Sequence, residues 1–446
     1  MKIIIAGAGE VGSHLAQMLS AEQHDITILD DDEKRLMEIS NSSDVVPILG
    51  DITSFDALQR CEVASCDLFI AVSPIENTNI LSATLAKSLG AKKAIARIDN
   101  DEYLEPDKKE TFINMGIDYM FYPEKVAASE VITLLGHTAT AEYVDFSGGK
   151  LTLVGFKLDA SSPLVNKNLM EVTHDRDLLE YRTVAISRGG ETIIPRGDDH
   201  FKEGDMIYVI SNRDSQSEVF KFTGKLNVDV KNIMILGGSR IGRRIAKQLQ
   251  SQINVKLVEY NDQKAYKLAE LLDKTLIINE DGRKMDVMME EGLHNMDAFV
   301  AVTGRAETNI LAAMLAKKLG VKKVIAEVEN INYIGLAESI GIDTIINKKL
   351  ITASSIYRFT MNTDVQAIKC LNGCDAEVLE FIVKPNSSAT KARIKHLNFP
   401  PGAIIGGIVR GDNAFIAVGN TEIKAYDRVV VFSKPATISK IGRFFE

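Results

Sequence analysis

The chain of 446 residues is longer than one ordinary domain core, so two to four domains are expected. Hydrophobic residues make up 45% and charged residues 25%, as in a folded soluble protein, and the formal net charge of -9 argues against nucleic-acid binding through phosphate neutralisation. No apolar run approaches the roughly 20 residues of a membrane span, and no signal sequence precedes the first strand pattern, so we expect a cytoplasmic protein. Four cysteines without a C-x-x-C pair predict reduced thiols rather than a metal site.

Strand and helix patterns alternate along the first part of the chain. The strands are predicted at 2–6, 26–29, 45–49, 68–72 and 93–98, and the helices at 13–19, 34–40, 54–62 and 78–89. Short links between alternating elements require crossover connections. The pattern therefore predicts an α/β fold with a doubly wound, parallel, Rossmann-like sheet.

An internal duplication is visible in two nearly identical segments. Residues 78–93 (TNILSATLAKSLGAKK) and 308–323 (TNILAAMLAKKLGVKK) agree at twelve of sixteen positions, with an offset of 230 residues. The same offset places KIIIAGAGEVG over NIMILGGSRIG, and DLFIAVS at Asp67 over DAFVAVT at Asp297. The parallel-sheet unit is therefore expected twice.

Each parallel-sheet pattern is followed by one helical segment and a smaller, β-rich region. The β-rich regions align through Arg188 over Arg410 and Asp205 over Asp427. We predict Rossmann-like domains at 1–122 and 229–346, and a crossover helix with a small α+β C-terminal domain at 123–222 and at 347–446. The two halves join near 221–232.

The first copy contains a complete dinucleotide fingerprint, G-x-G-x-x-G, at Gly7-Ala8-Gly9-Glu10-Val11-Gly12. Gly7 permits the tight strand-to-helix turn, Gly9 lets the backbone approach a pyrophosphate, and Gly12 allows close packing of the helix on the strand. The helix from Val11 offers free N–H groups to phosphate. Asp30 ends the next strand, where a carboxylate accepts from ribose hydroxyls and repels a 2′-phosphate, which favours NAD(H) or an adenine nucleotide over NADP(H).

Three more residues are expected at the carboxyl ends of the parallel strands. Ser73 and Arg97 face the phosphate or nicotinamide side of the predicted cleft, and Asp51 faces the adenosine side. The alternatives are that Asp51 caps a helix and that Arg97 pairs with a surface acid.

The second copy has an altered fingerprint, Gly237-Gly238-Ser239-Arg240-Ile241-Gly242, with Glu259 at the end of its second strand. Ser239 replaces Gly9, so its Cβ is expected to crowd the pyrophosphate path, and Glu327 replaces Arg97. Arg240 offers a compensating charge to a different nucleotide. Nucleotide binding and an empty scaffold both remain open for this copy.

The sequence shows no catalytic constellation beside the fingerprint. The histidines recur at no equivalent positions in the two copies, and no nucleophile or metal motif occurs. We therefore assign no catalytic and no metal residues and expect a sensor rather than an enzyme. The alternative is an NAD-dependent oxidoreductase, because a fold alone does not fix a function.

The whole chain resembles the TrkA family, the cytoplasmic regulatory subunits of Trk-type bacterial potassium uptake systems, which are built from two RCK (KTN) units. The resemblance lies in KIIIAGAGEVG, DLFIAVS, ETNILAAMLAKKLG, the ARI strand with Arg97, EGDMIYVIS and YDRVVVFS. It implies that Gly7 to Val11 form the phosphate loop, that Asp30 contacts the ribose, and that Ser73, Pro74 and Arg97 complete the cleft. The implied ligands are NAD(H) and ATP/ADP.

The resemblance also implies partners. Such proteins assemble into rings on the inner face of the plasma membrane, as peripheral subunits of a potassium-translocating membrane protein, so a homotetramer is expected. The segments 123–137 and 347–362 occur where this family crosses over to a neighbouring unit, and we expect them at the assembly interface. The alternative is that they are ordinary core helices within a domain. A similar regulator serving another cation channel or an antiporter is the remaining alternative.

Overall fold

The structure is a computed structural model that describes residues 1–21, 24–173, 181–224, 227–357, 359–360, 365–371 and 374–445. The chain divides into two compact units, one of residues 1–126 with 348–360, and the other of residues 127–347 with 361–446. Within the described residues, no helix combines the length and apolarity that crossing a membrane requires. Residues 225 and 226, in the predicted join, lie outside the described residues.

The first unit is built on a six-stranded parallel sheet with the order β3-β2-β1-β4-β5-β6. Its strands are β1 (Lys2–Ala6), β2 (Asp25–Asp30), β3 (Val46–Leu49), β4 (Leu68–Ala71), β5 (Lys93–Arg97) and β6 (Tyr119–Phe121). Its helices are α1 (Glu10–Ala21), α2 (Glu33–Ser42), α3 (Phe55–Arg60), α4 (Glu76–Ser88) and α5 (Pro106–Asn114), followed by α6 (Pro123–Gly136), which continues into the second unit.

The predicted parallel, doubly wound sheet is confirmed. The central strand β1 is buried from Ile3 to Ala6, because helices cover both faces of such a sheet and its strands are continuous apolar runs. The five predicted strands appear with bounds within one residue of the prediction. The sequence analysis missed α5 and β6, and β6 has only three residues, too few to show a pattern.

The second unit repeats this sheet with the order β14-β13-β12-β15-β16-β17, so the duplication is confirmed. The strands are β12 (Asn232–Leu236), β13 (Asn254–Val258), β14 (Leu276–Ile278), β15 (Ala298–Ala301), β16 (Lys323–Glu327) and β17 (Thr344–Ile346). The helices are α9 (Arg240–Leu249), α10 (Asp262–Leu271), α11 (Met285–Glu290), α12 (Ala306–Lys318) and α13 (Ile334–Ser339).

Two five-stranded antiparallel sheets complete the second unit, with the orders β10-β9-β11-β8-β7 and β18-β19-β22-β20-β21. The first contains β7 (Glu142–Phe146), β8 (Leu151–Lys157), β9 (Tyr181–Arg188), β10 (Glu191–Ile193) and β11 (Met206–Asn212), with helices α7 (Leu169–Thr173) and α8 (Gln216–Thr223). The other contains β18 (Val365–Cys370), β19 (Glu377–Ile382), β20 (Ala403–Arg410), β21 (Asn413–Ile416) and β22 (Arg428–Ser433), with helix α15 (Ile438–Phe445).

The two antiparallel sheets share one hydrophobic core, in which the rings of Tyr208 and Phe432 lie 6.1 Å apart. The aligned Arg and Asp positions form the same ion pair in both sheets. Arg188 donates from Nη2 to Asp205 at 2.7 Å, and Arg410 donates from Nη2 to Asp427 at 2.7 Å.

Helix α14 (Lys348–Tyr357) follows the second parallel sheet in sequence but belongs to the first unit, where it packs against α1. Its apolar face is covered there: Ile351, Ala353, Ile356 and Tyr357 are at most 4% exposed. This packing agrees with the alternative of a core helix within the chain, and the expected interface between chains stays a prediction. Residues 358, 361 and 362 of the expected segment lie outside the described residues.

Candidate functional site

The first glycine loop has the tight turn that the sequence predicts. Gly7 adopts φ +113°, and a Cβ there would lie 2.9 Å from the amide nitrogen of Ser73. A Cβ at Gly12 would lie 1.8 Å from the carbonyl oxygen of Gly7. Both positions therefore exclude any side chain, because α1 packs directly on the turn.

Gly9 differs from these two glycines because the space around it is open. Apart from the neighbours of Gly9 along the chain, no atom of the described residues lies within 4 Å of a Cβ built at Gly9, and its φ is not positive. Helix α1 begins at the next residue, Glu10, and the first-turn amides of a helix have no intrahelical acceptor. The loop thus presents backbone donors and a positive helix end beside this open position, an arrangement that binds phosphate groups.

Asp30 is 6% exposed and binds the loop itself. Its Oδ2 accepts from the amide of Ala8 at 2.5 Å, and its Oδ1 accepts from the amide of Asp32 at 2.9 Å. The guanidinium of Arg35 lies 3.9 Å from Asp30 Oδ1. Sequence reasoning placed Asp30 correctly beside the loop, but it missed both the bond that fixes the loop and the cation next to it.

Asp51 lies beside Asp30, because the amide of the preceding Gly50 donates to the Asp30 carbonyl at 2.9 Å. Its carboxylate accepts from the hydroxyl and the amide of Thr53, both at 2.7 Å, and these bonds lower its pKa. The alternative role as a helix cap does not apply, since Ser54 caps α3 by accepting from the Ala57 amide.

Ser73 and Pro74 follow β4, and a buried side chain that the sequence analysis missed holds this segment. Asn79, 1% exposed, accepts from the Ser73 amide at 2.7 Å and donates to the carbonyls of Ser73 at 2.9 Å and Arg97 at 3.0 Å. It joins the ends of β4 and β5 at the cleft. The signal was present in the sequence, since the TNIL segment containing Asn79 is identical in both copies.

Arg97 ends β5, and its Nη2 donates to Glu124 Oε1 at 2.7 Å. The side chains of the two residues are 17% and 6% exposed. The expected alternative, pairing with a surface acid, is therefore half right: the arginine is paired, but its partner is a buried carboxylate in the first turn of α6. A ligand phosphate at Arg97 would compete with Glu124.

The second glycine loop has the same turn, but one of its own side chains binds a free amide at the start of the helix. Gly237 adopts φ +108°, and the amide of Gly238 donates to Glu259 at 3.0 Å, as Ala8 does to Asp30. The hydroxyl of Ser239 accepts from the amide of Gly242 at 3.3 Å and caps α9. A helix end that is already capped by its own side chain offers less to a phosphate.

The remaining second-copy positions also differ from the first. Arg240 is exposed in the first turn of α9, Ile241 is 1% exposed, and Glu327 is 4% exposed where the first copy has Arg97. Asn309 repeats the role of Asn79 by donating to the carbonyls of Thr303 and Glu327. The scaffold of the cleft is thus conserved between the copies, but its phosphate side is changed.

Helix α14 brings a charge to the first loop. Lys349 Nζ lies 3.2 Å from Glu10 Oε2, with the lysine side chain 18% exposed and the glutamate side chain 65% exposed. Burial, and then the charge of Lys349, lower the pKa of His14 to about 4. The described residues contain no cluster of three or more His, Cys, Asp or Glu side chains placed to hold a metal ion.

Comparisons with known proteins agree with this architecture. The family model of the TrkA-N domain matches residues 3–123 and 233–348, and that of the TrkA-C domain matches residues 153–224 and 378–446. The chain belongs to the TrkA family. The resemblance inferred from the sequence motifs is therefore confirmed.

One TrkA-family relative is the Trk system potassium uptake protein TrkA of Vibrio alginolyticus, 32% identical, with 97% of this chain and 95% of that protein aligned. Two solved structures share the fold at 15% identity. The crystal structure of the GsuK RCK domain has a TM-score of 0.61 and covers 98% of this chain and 94% of that chain. The GsuK channel bound to NAD has a TM-score of 0.60, and the match covers 99% of this chain and 78% of that chain.

Proposed function

We propose that this chain is a nucleotide-sensing regulatory subunit of a Trk-type potassium uptake system, with NAD(H) or ATP/ADP as the ligand of the first copy. The observation that supports it most directly is the contrast between the two loops. In the first loop, Gly9 is surrounded by open space and has no side chain to cap α1. In the second loop, Ser239 fills the equivalent position and caps α9. The name of the Vibrio relative and the NAD bound to the GsuK channel support the same assignment.

In this proposal the backbone from Gly7 to Val11 holds the phosphates at the positive end of α1. Asp30 keeps the loop in place through Ala8 and offers a carboxylate edge to the ribose. Ser73, Pro74 and Asp51 line the ends of β4 and β3. The nucleotide is a signal, and we assign no catalytic residue.

The Arg97–Glu124 pair supports a route from ligand to conformation. A phosphate that attracts Arg97 weakens its bond to Glu124, which lies in the first turn of α6. A ligand shifts a conformational equilibrium only by binding one state better than another. The ion pair supplies that difference, because it is intact in one state and broken in the other.

The proposed site of action is the inner face of the plasma membrane, on a potassium-translocating partner, as a homotetrameric ring. Closed symmetric assembly is the usual arrangement of soluble oligomers, and a ring transmits a change in each subunit to one central partner. Regulation of this kind requires two sites coupled by a conformational equilibrium.

The loop contrast gives a direct test by substitution of Gly9→Ser. The variant should fold normally, because the new Cβ has no close contact with the part of the chain that the structure describes, and the backbone conformation suits any residue. The new hydroxyl would cap α1 as Ser239 caps α9 and would occupy the phosphate position. We expect NADH and ATP binding, measured by calorimetry, to weaken more than roughly tenfold, with an unchanged melting temperature.

The matched control is Ser239→Gly in the second copy. It should leave nucleotide affinity in the first copy unchanged and lower the free energy of unfolding by only about 0.3 kcal/mol. Wild-type affinity retained by Gly9→Ser would refute the assignment of the first loop. Sustained turnover of NADH by the wild type would refute the sensor role.

A further inference from the structure

Lys349 is positioned by an element that comes from the other half of the sequence. Helix α14 follows the second parallel sheet but packs on α1 in the first unit, which places Lys349 Nζ 3.2 Å from the Glu10 carboxylate. Glu10 is the first residue of α1, directly after the open position at Gly9. The ammonium group therefore lies at the helix end where the fingerprint places a pyrophosphate.

The burial of the two charges is unequal. The Lys349 side chain is 18% exposed, whereas the Glu10 side chain is 65% exposed. The lysine is held by its surroundings, and the glutamate can turn into solvent at little cost, since exposed ion pairs contribute roughly 0–1 kcal/mol. An arriving phosphate can thus replace Glu10 as the counter-ion of a cation that is already in place.

His14 lies beside the same cation. It lies one turn after Glu10 on α1, and its Nε2 is buried with no hydrogen-bond partner among the described residues. The charge of Lys349 contributes, after burial, to the low pKa of His14. His14 itself is neutral near pH 7, so Lys349 is the cation of this turn and is left without a counter-ion once Glu10 turns away.

The duplication shows that the charge is not a general feature of the fold. The residue of α6 equivalent to Lys349 is Glu124, which is paired with Arg97, and the residue of the second loop equivalent to Glu10 is Arg240. Both signs are reversed between the copies. The lysine therefore belongs specifically to the loop with the open glycine.

We propose that Lys349, contributed by the second half of the chain, is a phosphate-binding residue of the first-copy nucleotide site and makes that site respond to the number of phosphate charges. This inference rests on the proposed nucleotide site. A lysine engages phosphate as a point charge, so its contribution grows with the charge of the ligand. It also joins α14 to the ligand, so binding strengthens the packing of α14 on α1.

The test compares ATP, NADH and adenosine binding to wild type and Lys349→Gln by calorimetry at fixed ionic strength. We expect the variant to lose roughly tenfold or more in ATP affinity, less in NADH affinity, and less than about twofold in adenosine affinity. Lys349→Arg should retain the wild-type order. Glu10→Gln should bind ATP at least as tightly as wild type, because it removes the competing carboxylate.

Lys92→Gln is the matched control, since it removes the same charge at the amino end of β5, the opposite edge of the sheet, where the exposed Lys92 pairs with Asp67. It should not change the ratio of ATP to adenosine affinity. An equal loss for all three ligands in Lys349→Gln, repeated by Glu10→Gln, would mean that the ion pair only supports the fold and would overturn the inference. Unchanged ATP affinity in Lys349→Gln would overturn it as well, while leaving the nucleotide site intact. Absence of any nucleotide binding by the wild type would instead refute the proposed function.

Discussion

His14 is the residue of the site whose protonation is most strongly opposed by the fold. Its pKa is about 4, against an ordinary value of 6.5, mainly because it is buried and secondly because Lys349 is near. The folded chain therefore resists a proton that the unfolded chain binds. Its contribution to stability is complete above pH 6.5 and is lost as the pH falls towards 4.

We expect this residue to lower the free energy of unfolding by about 2 kcal/mol between pH 7 and pH 5. The measurement is chemical unfolding of wild type and His14→Gln at both values. Carboxylates titrate in both proteins, so the informative quantity is the difference in unfolding free energy between wild type and His14→Gln. This difference should shrink or reverse at pH 5. A difference independent of pH would show that His14 is not buried in its neutral form.

For single residues, the sequence predicted those roles that depend on neighbours close by along the chain. Gly7 and Gly12 have the conformational and packing roles assigned to them, because the turn and the helix that require them lie within a few residues. The partner of Arg97 was unpredictable, since Glu124 is 27 residues away on another element, and Lys349 is more distant still. For Ser239 the sequence predicted only that its Cβ crowds the pyrophosphate path, and the structure adds that its hydroxyl caps α9.

Among the elements, α4 and its equivalent α12 hold the two cleft walls through one buried asparagine each. Asn79→Ala would leave the Ser73 amide and two carbonyls without their partner, so we expect a loss of about 1–3 kcal/mol in unfolding free energy. Because Ser73 and Arg97 would lose their fixed positions, nucleotide affinity should also fall.

Asn309→Ala is the matched variant, since Asn309 makes the equivalent bonds to Thr303 and Glu327. It should cause a similar drop in melting temperature with no change in nucleotide affinity if the first copy alone binds. Equal loss of affinity in both variants would assign binding to both copies.

The parallel, doubly wound class of both large sheets followed from the alternation of strands and helices, whereas the strand order and the packing place of α14 did not. Its sequence predicts an amphipathic helix, and both an interface between chains and packing within one chain are compatible with that pattern. Only tertiary contacts show that the helix packs on α1 within the chain.

For the whole molecule, we expect a particle mass close to four times the 49.0 kDa of one chain, measured by light scattering at micromolar concentration. The physical reason is uncovered apolar surface at equivalent places: Leu81 on α4 is 50% exposed and Leu311 on α12 is 61% exposed. Exposed leucines that the duplication repeats at equivalent positions are our candidates for contacts between subunits. A monomeric mass would contradict the ring, and Leu81→Glu with Leu311→Glu should reduce the mass if these leucines form the contacts.

The placement of α14 changes what the duplication means for inheritance. A gene for the first half alone would encode the first parallel sheet and its glycine loop, but not the helix that covers α1 with Ile351, Ile356 and Tyr357. The first unit therefore depends on a helix encoded in the second half, and loss of that half would uncover α1. Such dependence would preserve a second copy even if it had stopped binding any ligand of its own.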